Sequence, residues 1–227
     1  MTLHEANVLF SIGPLEVTKT VVSMWVLIAV LALLSFLATR KLKAVPGKLQ
    51  NAAEMAVESL QGFFGGILGK ENAKRYFPLL ATFFVFIVVS NYSSLLPGAG
   101  SVFAVPTTSL SVTAALAAIS FVVVQEESIR HQGVGGYLKS LMQPMFLCVL
   151  MLPLNLIEQA VHPVSLALRL YGNLYGEELA AEQLGGLAAI GLPIVMHVLS
   201  LLFCLIQAMV FTLLVSIYLT EALGEED

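Results

Sequence analysis

The 227-residue chain is predicted to be an all-α integral membrane protein. It has five transmembrane helices and one amphipathic helix on the cytoplasmic surface, and the last two membrane helices are long and strongly tilted. Three observations carry this prediction. Charged residues make up 11% of the sequence, against about 25% in soluble domains. Mean hydropathy is +0.88. Apolar runs of about 20 residues, enough to cross a bilayer, recur along the chain. Residues 1–227 read as a single membrane domain, with no internal repeat, low-complexity tract or soluble domain.

The first span is expected at 20–37, and the basic cluster Arg40, Lys41, Lys43 and Lys48 follows it at once. It lacks the basic leader and small-residue cleavage site of a secretory signal peptide. Over 47–68, apolar residues fall at Leu49, Ala52, Ala53, Ala56, Leu60, Phe63, Phe64 and Ile67, the steps of one helical face. That pattern fits a helix lying along the membrane surface and also fits one packed on other helices. A hairpin of spans follows at 77–96 and 107–124, joined by the uncharged link 97–106. Asn91 and Tyr92 at the end of the first arm read as interfacial anchors. Glu126 and Glu127 read as solvated acids of a loop after the second.

The fourth apolar region, 141–183, is too long for an upright span. A helix over most of it would measure roughly 60 Å at 1.5 Å per residue, twice the hydrocarbon thickness. It must break, for example at Pro153 or Pro163, or lie steeply tilted. The last region, 192–220, has the same problem in milder form, and the acidic tail Glu225, Glu226, Asp227 follows it. Basic residues concentrate between spans one and two and after span three. By the positive-inside rule these links are cytoplasmic, the N-terminus is outside and the C-terminus inside. A bacterial plasma membrane is the expected location.

Arg169 stands in the middle of the fourth region. A charge at the bilayer centre costs at least about 2.5–3.5 kcal/mol, so a chain that keeps one usually uses it. Lys139 is about thirty residues away, which makes snorkelling awkward. On a helix, Asn173 shares the face of Arg169, Glu158 lies three turns back near the same face, and Glu178 is half a rotation round. No acid of this segment therefore neutralises Arg169 from a regular helix. The counter-charge must come from elsewhere in the fold or from another protein. The last region adds His197, Ser200 and Gln207. Glu158, Arg169, Asn173, Glu178, His197 and Gln207 make a polar track, with Glu177 beside Glu178, of the kind that conducts protons or ions. His162 lies on the Arg169 face and ranks below them.

Other chemistries find little support. The 11 Lys and Arg are dispersed without aromatic interleaving, which argues against nucleic-acid binding. No HExxH, P-loop, GxGxxG or GxSxG pattern occurs, so no metal or other cofactor is expected and no catalytic set for an intramembrane enzyme. A self-contained secondary ion transporter is the main alternative, but its usual repeat symmetry is not seen. Cys148 and Cys204, in apolar runs, read as packing residues.

The stretch PVSLALRLYGNLYGEE, residues 163–178, resembles the signature of subunit a of the F-type ATP synthase. NLIEQAVHPVSLALRL resembles that family's approach to its essential Arg, and LIQAMVFTLLVSIYL, residues 205–219, its last helix. The resemblance implies an ion-translocating stator subunit, without catalysis of its own. Its partners would be the c-ring, the b-subunit peripheral stalk and the remaining synthase subunits. Arg169 would be the essential Arg facing the ring, with Asn173 and Gln207 as its polar neighbours. Glu178 would be the acid of the outer half-channel and Glu158 an acid of the cytoplasmic one. Some members place a His seven residues before the Gln. Here that residue is Ser200, and His197 lies one turn earlier.

Overall fold

The computed structural model describes residues 8–12, 15–40, 47–95, 104–141, 148–185 and 191–224. For some residues inside the helices, Glu178 and His197 among them, only the backbone is described. A short antiparallel hairpin, β1 (Val8–Ile12) with β2 (Leu15–Thr18), precedes the helices and pairs Phe10 with Val17 and Ile12 with Leu15. The sequence reading expected no strand. The two segments are rich in β-branched and large apolar residues and too short to show periodicity.

Among the described residues six α-helices follow: α1 (Lys19–Thr39), α2 (Lys48–Leu68), α3 (Lys70–Tyr92), α4 (Leu110–Leu141), α5 (Cys148–Gly185) and α6 (Gly191–Leu223), with single 3-10 turns at Ser93–Leu95 and Pro106–Thr108. Among the described residues four stretches are long and apolar enough to cross a membrane: Lys19–Leu37, Lys70–Leu95 (α3 and the turn after it), Leu110–Tyr137 and Val198–Leu223. The fifth expected crossing, α5, is not in that set, because polar side chains interrupt it. It is nonetheless one helix of 38 residues, about 57 Å long, with Pro153 and Pro163 inside it and no break at either.

Helix α1 is apolar on every side and most of it stays exposed, Trp25, Leu33 and Phe36 included, as befits a helix bathed in lipid. Helix α2 turns into α3 at the single residue Gly69, whose φ of 76° and ψ of 157° only glycine adopts readily. The C-terminal part of α2 packs on the bundle, with Phe64 and Leu68 fully buried, while residues 51–59 are exposed.

The core gathers Ala73, Tyr76, Leu80, Phe83 and Ile87 of α3 against Ala208, Phe211, Val215 and Leu219 of α6, with Leu166, Ala167 and Leu170 of α5. All three sets repeat at helical spacing, so each helix buries one face. The Phe83 and Phe211 rings meet edge to face, centroids 5.7 Å apart. On α6, the hydroxyls of Thr212, Ser216 and Thr220 donate to the carbonyls of Ala208, Thr212 and Ser216. Those bonds satisfy buried polar groups within the helix and leave a slim surface for close packing.

Three expectations need correction. Residues 126–131 are helical, because α4 continues to Gly133, where φ of 69° bends it. Glu127 is not solvated. It is buried and accepts a hydrogen bond from Arg75 Nη2 at 2.8 Å, which ties α4 to α3. Asn91 is 1% exposed and so is no interfacial anchor. For Glu127 and Asn91 sequence position near the end of an apolar run suggested exposure, and packing of neighbouring helices removed it; Glu126 is exposed as expected.

Candidate functional site

Successive residues of an α-helix are turned by 100°. Glu158, His162, Arg169 and Asn173 therefore fall within about 60° of one another and form a polar stripe along α5. The same count puts Ser200, Gln207 and Tyr218 on one face of α6, with Glu221 one turn beyond Tyr218. Helices α5 and α6 pack together, and two cavities open along them.

The first cavity, about 280 Å³, lies between α4, α5 and α6. Glu158, His162, Tyr218 and Glu221 line it, and so do Gln125 and Gln159. Tyr137, past the bend at Gly133, donates its hydroxyl to Gln125 Oε1 at 2.7 Å or to Gln159 Oε1 at 2.8 Å. Gln125 Nε2 donates to Gln159 Oε1 at 3.2 Å. The bend brings a residue twelve positions along the chain back beside Gln125, which a straight helix would hold roughly 18 Å away. The second cavity, about 310 Å³, lies between α5 and α6. Asn173, Glu177, Ser200 and the glycines Gly172 and Gly176 line it. The glycines leave open the space that side chains would fill.

Arg169 stands on α5 between the two cavities, three residues past Leu166 of the first and three before Gly172 of the second. It is exposed, and Val164, Leu168 and Tyr175 beside it are large exposed apolar groups. Behind it, Leu166, Ala167 and Leu170 are buried in the core. The protein side of the gap between the cavities is thus packed and apolar, and the open side carries the guanidinium. The ion pairs of the described residues join Arg75 and Arg130 to Glu126 and Glu127, and none involves Arg169. Arg169 does lie near enough to Tyr218 to act on it electrostatically.

The other residues singled out in the sequence are distributed as follows. Glu158 is exposed on the first cavity. Asn173 is half-buried and Ser200 buried, both on the second. Gln207 is 7% exposed, and its Nε2 has no hydrogen-bond partner among the described residues. The side chains of Glu178 and His197 lie outside the described residues. Glu177 is the carboxylate described at the second cavity. Among the described residues, no group of three His, Cys, Asp or Glu is placed to hold a metal ion.

Residues 21–220 match the family model of the ATP synthase A chain. The chain belongs to that family. It is 42% identical over 213 residues to the ATP synthase subunit a of Moorella thermoacetica, covering 94% of each chain. It is 36% identical over 219 residues to ATP synthase subunit a 2 of a Bradyrhizobium species, covering 96% of this chain and 95% of that one. Against ATP synthase subunit a 3 of Pelobacter propionicus the identity is 41% over 202 residues, or 88% and 86% of the two chains.

Sequence reasoning passed over most polar residues of the first cavity, Gln125, Tyr137, Gln159 and Glu221 among them. Each is polar within or beside an apolar run, and that was the only signal available. Tyr137 could not be placed without the bend at Gly133, and Glu221 reads as part of an acidic C-terminal end until α6 sets it across from Glu158.

Proposed function

We propose that this chain is the ion-translocating stator subunit of a rotary ATP synthase. The two cavities are its offset half-channels, and Arg169 separates them. The observation that carries the reading is the position of Arg169. It stands on the exposed face of α5 between two cavities, one bearing Glu158 and His162 and the other Asn173 and Glu177, with packed apolar residues behind it.

On this reading an ion cannot step from one cavity to the other through the protein, because Leu166, Ala167 and Leu170 fill the way. It must leave the chain and ride on a partner past the face that holds Arg169. A ring of c subunits with membrane-embedded carboxylates is that partner. An ion entering by the second cavity, past Glu177 and Glu178 with Asn173, Ser200 and His197 near the route, neutralises a ring carboxylate. The neutral site can turn into lipid, where a charged one would be costly. It returns to the first cavity and releases its ion towards Glu158. The bare carboxylate then passes Arg169, whose positive charge favours the ionised form and blocks a direct leak. Gln207 lies on the α6 face turned to this route. A membrane potential supplies about 2.3 kcal/mol per charge per 100 mV. The chain itself catalyses nothing. It works in a bacterial plasma membrane, N-terminus outside and C-terminus inside, with the peripheral stalk b subunit holding it against the torque.

The test is Arg169→Ala in the assembled complex, reconstituted in vesicles, with ATP-driven ion pumping measured beside passive leak. Pumping is expected to vanish while the complex stays assembled. Near-normal coupled pumping would make Arg169 a structural residue and would sink the whole assignment.

A further inference from the structure

The first cavity holds more titratable chemistry than one half-channel acid. Helix α5 contributes Glu158 and, one turn on, His162; helix α6 contributes Tyr218 and, one turn on, Glu221. The His162 ring lies flat on the Tyr218 ring, centroids 4.3 Å apart and planes 9° from parallel. Stacking occupies the face of an imidazole and leaves open its edge, where both nitrogens sit, on a residue that lines the cavity. No described hydrogen bond takes either nitrogen, so neither is committed to a structural role. The ring is thus held in place by its face and left free for proton transfer at its edge.

We propose that His162 is a proton-transfer residue of the first cavity, working between Glu158 and Glu221, so that the ion leaving by this cavity is a proton. The inference rests on the half-channel reading above. Protonated Glu158 gives its proton to one ring nitrogen, leaving a carboxylate and an imidazolium. The imidazolium then gives a proton to the Glu221 carboxylate and returns to neutral. Glu221, exposed at the far side of the cavity, releases that proton to water. A cavity of about 280 Å³ has room for several waters, at roughly 30 Å³ each, to bridge gaps between the three groups. The carboxylates of the cavity could serve either ion, but sodium gains nothing from the imidazole, since hard cations prefer oxygen ligands and an imidazole nitrogen suits softer ones. The other titratable or charged groups around His162 are Tyr137 from α4 and Tyr218 from α6, with Arg169 close to Tyr218.

The experiment uses the assembled complex in inverted vesicles and follows ATP-driven pumping against pH, with and without added sodium. His162→Gln keeps a polar side chain of similar reach but cannot carry the proton. Pumping is expected to fall about tenfold, less than the 10²–10⁴ of a group in a chemical transition state because water offers a bypass. The pH profile of pumping should change with it, since the amide side chain can neither take up nor release a proton. Added imidazole should restore part of the rate in His162→Ala, a rescue that a purely structural role would not give. If His162→Gln fails to assemble, Glu221→Gln gives the same readout from an exposed position. Wild-type pumping that requires sodium, or variants that keep the wild-type rate and pH profile, would overturn the relay. Loss of pumping in Arg169→Ala alongside that result would leave the half-channel reading standing. Normal pumping in Arg169→Ala would remove both.

Discussion

Breaking the contact between Arg75 and Glu127 should loosen the joint between α3 and α4 by a measurable amount. Arg75 Nη2 is 2.8 Å from Glu127 Oε1, with side-chain exposures of 56% and 10%. Exposed pairs are worth about 0.2–1 kcal/mol, whereas removing one partner of a fully buried pair costs about 3–5 kcal/mol. This pair is mixed. Glu127 has lost most of its water, but Arg75 has not, so solvent screens the attraction. Arg130 Nη1, 3.9 Å from the same carboxylate oxygen, also remains as a partial substitute. Arg75→Met should therefore cost about 2 kcal/mol, most of it the penalty of leaving Glu127 charged and poorly partnered. Adding Glu127→Gln removes the stranded charge and should recover about 1 kcal/mol. In a chain of this size each kcal/mol moves the thermal midpoint by about 2–4 °C. Midpoints of the wild type, both single variants and the double variant, in one detergent, complete the cycle. A coupling below about 0.3 kcal/mol, within the additivity of independent sites, would show that the short contact contributes nothing.

Two further predictions follow from burial and exposure. Phe211 is fully buried and meets Phe83 edge to face, so Phe211→Ala should cost about 3–5 kcal/mol; Met55→Ala, at a residue 60% exposed, is the control, and equal midpoints would refute the core assignment. Trp25, the only tryptophan, is 59% exposed on α1, so its fluorescence in vesicles should be quenched by lipids brominated on the acyl chains and not by aqueous acrylamide; the opposite pattern would take α1 out of the bilayer.

The parts of the molecule legible in the sequence are those governed by one helix at a time. Apolar length marked the helices, and charge in an apolar run marked Arg169. The spacing of Arg, Asn and Glu over residues 163–178 led to the family. What escaped depends on two or more helices meeting. Glu127 looks like any acid in a charged stretch until α3 brings Arg75 to it. Asn91 looks like an anchor until the surrounding helices bury it. The first cavity could not be drawn at all, since its lining comes from three helices and a bend at one glycine. The run from Glu126 to His131 misled because charge density suggested a loop. Helix propensity does not forbid such residues, and the ion pair of Arg130 with Glu126 one turn earlier favours the helix.

The same geometry explains how a charge as costly as Arg169 is tolerated. A guanidinium near the bilayer centre costs at least about 2.5–3.5 kcal/mol if nothing offsets it. The described carboxylates nearest along α5, Glu158 and Glu177, line cavities on either side of Arg169, and neither forms a described ion pair with it. A carboxylate placed permanently against Arg169 would remove the cost, and it would also remove the charge as seen by anything passing. On the proposed reading the offset comes instead from a succession of carboxylates on a moving partner, each held only while it is ionised. The apolar packing of Leu166, Ala167 and Leu170 then has a second consequence beyond stability. On that same reading it keeps water from joining the two cavities behind Arg169, so the guanidinium would have to block ion leakage on one face of the helix only.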